Sequence, residues 1–202
     1  MLTIHLVRHG DTAQAAEGIF CGDLDPPLTE HGLAQAEHLA KLGARLGLTA
    51  LYCSPKHRAR QTIAPLARAI GLEPTIEPGL REIAYGRWEG RKESEIRVNE
   101  PEAYAAWHAD PALASPPGGE TGFDIAGRAL PVLAGIRQQH PTGRVLLVSH
   151  KATVRVLVCA LLGMPLQRFR TYIACPTASI TSFELGMDSA LLVRVADVHH
   201  LG

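Results

Sequence analysis

Short apolar runs that stop abruptly at charged or polar residues alternate along this chain with longer stretches of helical periodicity. That alternation constrains the fold more than any other feature. Residues 2–7 (LTIHLV) read as a buried strand that ends at Arg8-His9-Gly10. Residues 11–28, rich in Gly, Asp and Pro, read as a long ordered loop. Thr29 is placed to cap a helix over about 30–46, with Leu33, Ala36, Leu39, Ala40, Gly43 and Leu46 on one face. Residues 50–53 form a second strand. Ser54 and Pro55 then cap and open a helix that runs to about Ile70, and a further strand is expected near 74–77.

The stretch 78–119 is punctuated by Gly79, Gly86, Gly90 and Pro116-Pro117-Gly118-Gly119, with one helix expected over 93–107. It carries too few apolar residues for its own core and reads as an insertion over one end of the sheet, within a single domain covering 1–202. A helix is expected over 120–139, kinked or split by Pro131. Residues 144–149 (RVLLVS) are the clearest buried strand, followed by a helix over 153–162. Strands at 180–185 and 191–195 form a hairpin about a turn at 186–188. Strands alternating with helices predict an α/β fold, with a mainly parallel sheet covered on both faces.

Composition excludes several classes of function. Lys plus Arg and Asp plus Glu are both 20, so the chain has no formal net charge and lacks the basic surface of a general nucleic-acid binder. With 46% hydrophobic and 20% charged residues, a packed core is expected rather than disorder. No apolar run approaches the roughly 20 residues that span a bilayer, and the N-terminus is too soon charged for a signal-peptide core. Cys21, Cys53, Cys159 and Cys175 are scattered without a C-x-x-C pair and read as reduced thiols of a cytoplasmic protein.

In an open α/β sheet, ligands bind beyond the carboxyl ends of the strands. Three such ends carry cationic or imidazole groups: Arg8-His9, Lys56-His57-Arg58 one turn into the following helix, and Ser149-His150. Two guanidinium forks match phosphate oxygens. A helix beginning after His150 adds backbone N–H groups and a positive dipole end. Gly10 is expected to let backbone approach the ligand. Together they predict a site for a phosphoryl group. A metal site from His9, His57, His150 and Cys53 is the weaker reading, because the neighbouring arginines repel a cation.

The segments LVRHGDT (6–12), GDLDPPLTEHGLAQA (22–36), YCSPKHRARQT (52–62), LREIAYGRWEG (80–90), PPGGET (116–121) and VSHKATVR (148–155) resemble, in order and spacing, the motifs of the histidine phosphatase superfamily, also called phosphoglycerate-mutase-like. The resemblance implies a three-layer α/β/α sandwich. It implies that His9 is the nucleophile that becomes phosphohistidine, that Arg8, Arg58 and His150 bind the phosphoryl group, and that Glu82 is the proton donor. Spacing alone does not choose between Glu82 and Glu89 for that last role. No metal or other cofactor is expected, since fixed guanidiniums can hold the charge that spreads over the phosphoryl oxygens.

The chain departs from the family's usual pattern at Lys151, where Gly is common, at Ala15, where many members carry Asn, and at Cys21. Lys151, Cys21 and Thr12 are candidates for the substrate rim, and Tyr85, Trp88, Tyr104 and Trp107 for an aromatic wall. The expected function is a metal-independent phosphomonoesterase for a small soluble phosphate ester, with a homodimer left open. A cofactor-dependent phosphoglycerate mutase is the alternative, disfavoured by the acidic and apolar character of 91–119 outside Arg91, Lys92 and Arg97. A non-catalytic phospho-ligand module is opposed by the joint presence of His9 and Glu82.

Overall fold

Strands β1 (Leu2–Arg8), β2 (Ala50–Cys53), β3 (Thr75–Ile76), β4 (Gly143–Ser149), β5 (Ile180–Leu185) and β6 (Ala190–Asp197) form one sheet in the order β3-β2-β4-β1-β5-β6. The computed structural model describes residues 1–186 and 189–202. β1, β2, β3 and β4 pair in parallel, while β5 and β6 add an antiparallel edge. The helices are α1 (Ala13–Ala16), α2 (Glu30–Gly43), α3 (His57–Ile70), α4 (Glu93–Asn99), α5 (Pro101–Ala109), α6 (Gly122–Gln139), α7 (Lys151–Leu161) and α8 (Phe169–Tyr172).

The pleat sorts the central strands between two cores. β1 sends Leu2, Ile4 and Leu6 to the face covered by α6 and α7, and Val7 to the face covered by α2 and α3. β4 divides Val145 and Leu147 from Leu146 and Val148 in the same way. All four of those β4 side chains are fully buried, as a parallel strand covered on both faces requires. A melt of Leu147→Ala would register a loss of about 2–5 kcal/mol.

Several boundaries differ from the sequence reading for identifiable reasons. α2 ends at Gly43 rather than 46, and Leu33 is exposed while the buried stripe of the helix starts at Gly32 and Gln35. The Gln35 amide accepts from the Asp11 N–H at 2.8 Å and donates to Thr177 Oγ1 at 3.2 Å, so a polar residue ties this helix to two loops. α3 starts at His57, with Lys56 as its N-cap, so Arg58 lies in the first turn rather than one turn in. The segment 93–107 is two helices, divided at Glu100 where Pro101 opens α5. α6 runs through Pro131 as one continuous helix, and its start is fixed by a capping box between Thr121 and Asp124. α7 begins at Lys151, two residues earlier than expected. β3 is two residues long and β6 extends over 190–197. The expected hairpin turn falls on Met187 and Asp188, which lie outside the described residues.

The segment 78–119 does have a core of its own, contrary to the expectation. Trp88, Ile96 and Trp107 are buried with Phe20 from the 11–28 loop, and Tyr85 and Tyr104 pack against them. Few apolar residues suffice because four are large aromatics, packed mostly tilted or edge-on at centroid distances of 4.6–6.4 Å.

Candidate active site

β1 and β4 run in register, with Arg8 opposite Ser149, so His9 and His150 leave the sheet side by side. Their ring centroids are 5.0 Å apart, and the His9 N–H donates to Ser149 O at 2.9 Å. His9 Nδ1 lies 2.7 Å from Gly10 O. A carbonyl can only accept, so Nδ1 carries the proton and the neutral ring keeps its lone pair on Nε2. Burial, then the charges of Arg8 and Arg58, hold the His9 pKa well below the ordinary imidazole range. Gly10 is needed for packing, since a Cβ there would sit 2.7 Å from Gly32 O on α2. The Gly10 N–H donates to Thr62 Oγ1, which donates to Arg58 O, so β1's exit loop is tied to α3.

Arg8 donates from Nη1 to Cys175 O at 2.7 Å. Arg58 is 1% exposed, and its two terminal nitrogens donate to the carbonyls of Cys21, Gly22 and Leu24. The other side of that loop is held by Glu89. Its carboxylate accepts from the N–H groups of Gly22, Asp23, Leu24 and Tyr85 at 2.9–3.3 Å. Gly22 fits only as glycine, because a Cβ would lie 1.8 Å from Ile83 O. Glu89 is thus engaged on backbone and is not among the cavity's lining residues. Ser54 does not cap α3 as expected. Its hydroxyl meets His150 Nε2 at 2.7 Å, leaving His150 Nδ1 buried without a partner. Burial, then the charges of His9, Arg58 and Lys56, lower the His150 pKa as well.

Glu82 is 5% exposed at the start of α7 and accepts from the N–H groups of Ile83, Ala152 and Thr153 at 3.0–3.4 Å. Its segment is clamped by Arg128, which donates to the carbonyls of Gly79, Arg81 and Glu82 and to the carboxylate of Glu120. Glu120 accepts in addition from the Ala84 N–H and from Arg81. Burial raises the Glu120 pKa, but the hydrogen bonds and the nearby arginines outweigh it and hold it below the usual carboxylate range.

Arg8, His9, Arg58 and Glu82 line one cavity of about 280 Å³. Thr12, Cys21, Lys151 and Ala15 line it too. Thr12 is buried and caps α1. Burial keeps the Cys21 thiol above its ordinary pKa range, hence protonated. His150 is fully buried beside His9 and is not among the lining residues. The expected aromatic wall is corrected: Tyr85 and Trp107 face the cavity with Phe20 and Phe169, whereas Trp88 and Tyr104 belong to the small core behind. Sequence reasoning missed Arg155, Arg170 and Glu93, which also line the cavity. Arg155 was findable, since it lies four residues from Lys151 and so on the same helix face. Nothing in the sequence ties Arg170 to the site. Among the described residues no group of three or more His, Cys, Asp or Glu is arranged to hold a metal ion, so His9, His57, His150 and Cys53 do not gather as one. Nor is any described helix long and apolar enough to cross a membrane.

Comparison with known proteins agrees with this geometry. The model of the histidine phosphatase superfamily (branch 1) matches residues 4–198. Phosphoserine phosphatase 1 of Hydrogenobacter thermophilus is 32% identical over 202 residues, covering 100% of this chain and 95% of the relative. The adenosylcobalamin/alpha-ribazole phosphatase of Salmonella typhimurium is 31% identical over 180 residues, covering 88% and 89%. The solved structure of Bacillus stearothermophilus YhfR superposes with a TM-score of 0.93 at 31% identity, covering 100% of both chains. With Arg8, His9 and Arg58 lining one cavity beyond the strand ends and a family match over almost its whole length, the chain belongs to the histidine phosphatase superfamily, branch 1.

Proposed function

We propose that the protein is a phosphomonoesterase for a small phosphorylated metabolite, working through a phosphohistidine at His9 without a metal ion. The observation that carries this reading is the Nδ1 hydrogen bond to Gly10 O, which leaves Nε2 of a neutral imidazole as the nucleophilic atom on a side chain lining the cavity. Nε2 attacks phosphorus in line as the ester P–O bond breaks, and the leaving alkoxide takes the proton of the Glu82 carboxyl. Water then attacks phosphorus, the P–N bond breaks, Glu82 takes a proton from the water, and inorganic phosphate leaves. Arg8 and Arg58 hold the charge on the transferring oxygens. A Ser54 hydroxyl that donates to His150 Nε2 would leave the ring proton on Nδ1, where a phosphoryl group on the adjacent His9 would accept it.

The four free thiols suit a reducing compartment, which supports placing the reaction in the cytoplasm. Rapid acid quench of a reaction with a labelled substrate, run in the presence of EDTA, tests the reading. The expected result is protein-bound phosphate that is acid-labile and base-stable. Turnover without trapped label would replace it by direct attack of water.

A further inference from the structure

Lys151 and Arg155 stand one turn apart on α7 and both line the cavity beside Arg8. Their arrangement runs against helix electrostatics. Two like charges at i and i+4 repel, and a cation at the first helical position is opposed by the dipole. Neither side chain has a hydrogen bond or ion pair with another described residue. Arg155 Nε is buried without a partner. By contrast, Arg8 donates to Cys175 O although its own Nε is buried without a partner, and two further cations of the cavity are matched by carboxylates. Arg58 pairs with Asp25, and Arg170 pairs with Glu93 at 3.4 Å while its guanidinium covers the Trp107 ring at 3.6 Å. With Arg8 and Arg58 assigned to the phosphoryl group in the reading above, two cations on the α7 wall have no role in it.

We propose that Lys151 and Arg155 form a second anion-binding subsite, which takes a carboxylate or phosphoryl group carried by the leaving alcohol of the substrate. This assignment rests on the phosphomonoesterase reading and narrows its substrate class to phosphate esters with a second negative group. Burial, then repulsion from Arg8 and from each other, depresses the pKa of Lys151, and burial with the charges of Arg8 and Arg170 depresses that of Arg155. A bound anion relieves all of these.

The test is a pair of substrates differing only at the far end of the leaving alcohol. 3-Phosphoglycerate and glycerol 3-phosphate share a three-carbon skeleton, and the first carries a carboxylate where the second carries a hydroxymethyl group. At low salt the ratio of their kcat/KM values should favour the acid by about tenfold or more. Arg155→Gln and Lys151→Gly should each cut that ratio several-fold, mainly through KM, and Arg155→Lys should restore part of it. The ratio within one variant is independent of how much of it is folded. A bisphosphate of the same length extends the comparison: preference for it over the acid identifies a phosphoryl subsite, and the reverse a carboxylate subsite. A wild-type ratio near one, or a ratio that both substitutions leave unchanged, overturns the proposal. If p-nitrophenyl phosphate and both esters are not hydrolysed, the phosphatase reading has failed. Calorimetric titration with the two esters then decides the subsite by the same ratio, in Kd.

Discussion

Glu89 and Arg58 grip one loop from opposite sides. The carboxylate of Glu89 accepts the N–H groups of Gly22, Asp23 and Leu24, while the guanidinium of Arg58 donates to the carbonyls of Cys21, Gly22 and Leu24. Loop and arginine position each other, and Glu89 is the anchor that makes both rigid. Glu89→Gln should therefore lower kcat/KM by about tenfold to a hundredfold, and by the same factor for alkyl phosphates and p-nitrophenyl phosphate. Charged hydrogen bonds of this kind contribute about 1.5–3 kcal/mol each, so the variant should also melt lower. A loss confined to alkyl phosphates would make Glu89 the proton donor instead.

Glu82→Gln should show the opposite pattern. An alkoxide leaves poorly unless protonated, whereas p-nitrophenolate leaves almost unaided. The loss on a sugar or glycerol phosphate should reach about a hundredfold to ten-thousandfold and be far smaller on p-nitrophenyl phosphate. Steady-state rates on the two substrates decide it. Equal losses would remove Glu82 from the donor role.

His9→Ala should abolish turnover and leave the fold intact, since the side chain lies just beyond β1 rather than within the sheet. Turnover assays beside a thermal melt check both halves. Activity within tenfold of the wild type would end the nucleophile assignment.

Stability should fall as the solution is acidified, and His5 contributes a separable part of the fall. It is buried in β1 with Nδ1 2.8 Å from Ser182 Oγ and Nε2 without a partner. Burial, then the charges of Arg194 and Arg144, lower its pKa from 6.5 to about 4. Below pH 6.5 the unfolded chain binds a proton that the folded chain refuses, so stability present above that pH is lost progressively down to about pH 4. The loss amounts to about 3 kcal/mol. His9 and His150 shift in the same direction, so the informative measurement is the difference in urea-unfolding free energy between wild type and His5→Gln across this window. A parallel pH dependence in the two proteins would show that His5 does not titrate as described.

The strands and the convergence of Arg8, His9 and Arg58 on one cavity were legible because both depend on short-range pattern. The run 144–149 is apolar on both faces, and the residues after each strand are the ones the sheet must deliver to its carboxyl edge. Glu82 could be matched by motif, but its environment could not be read, because two of the three N–H groups it accepts from belong to Ala152 and Thr153, some seventy positions away. Helical spacing places Leu33 inward, yet the buried stripe runs through Gly32, Gln35, Ala36, Leu39, Ala40 and Gly43, because the Gln35 amide is held inward by the Asp11 N–H. The aromatic core of the insertion was missed because one of its members, Phe20, lies far upstream in a loop. Arg170 reaches the cavity through the docking of α8, which no local spacing encodes.

The seven-residue register between β1 and β4 makes the pairing of His9 with His150 an all-or-none property. Removing one residue from either strand would turn that strand's following side chain to the other face of the sheet, exchanging one core for the other as it did so. No intermediate placement exists, so the distance and tilt between the rings cannot drift by small steps within the sheet. Variation of substrate has to enter elsewhere, through segments such as 18–21, 83–85 and 169–170 that surround the cavity without belonging to any central strand. The sheet keeps the reaction constant, and the surrounding loops are free to change what is brought to it.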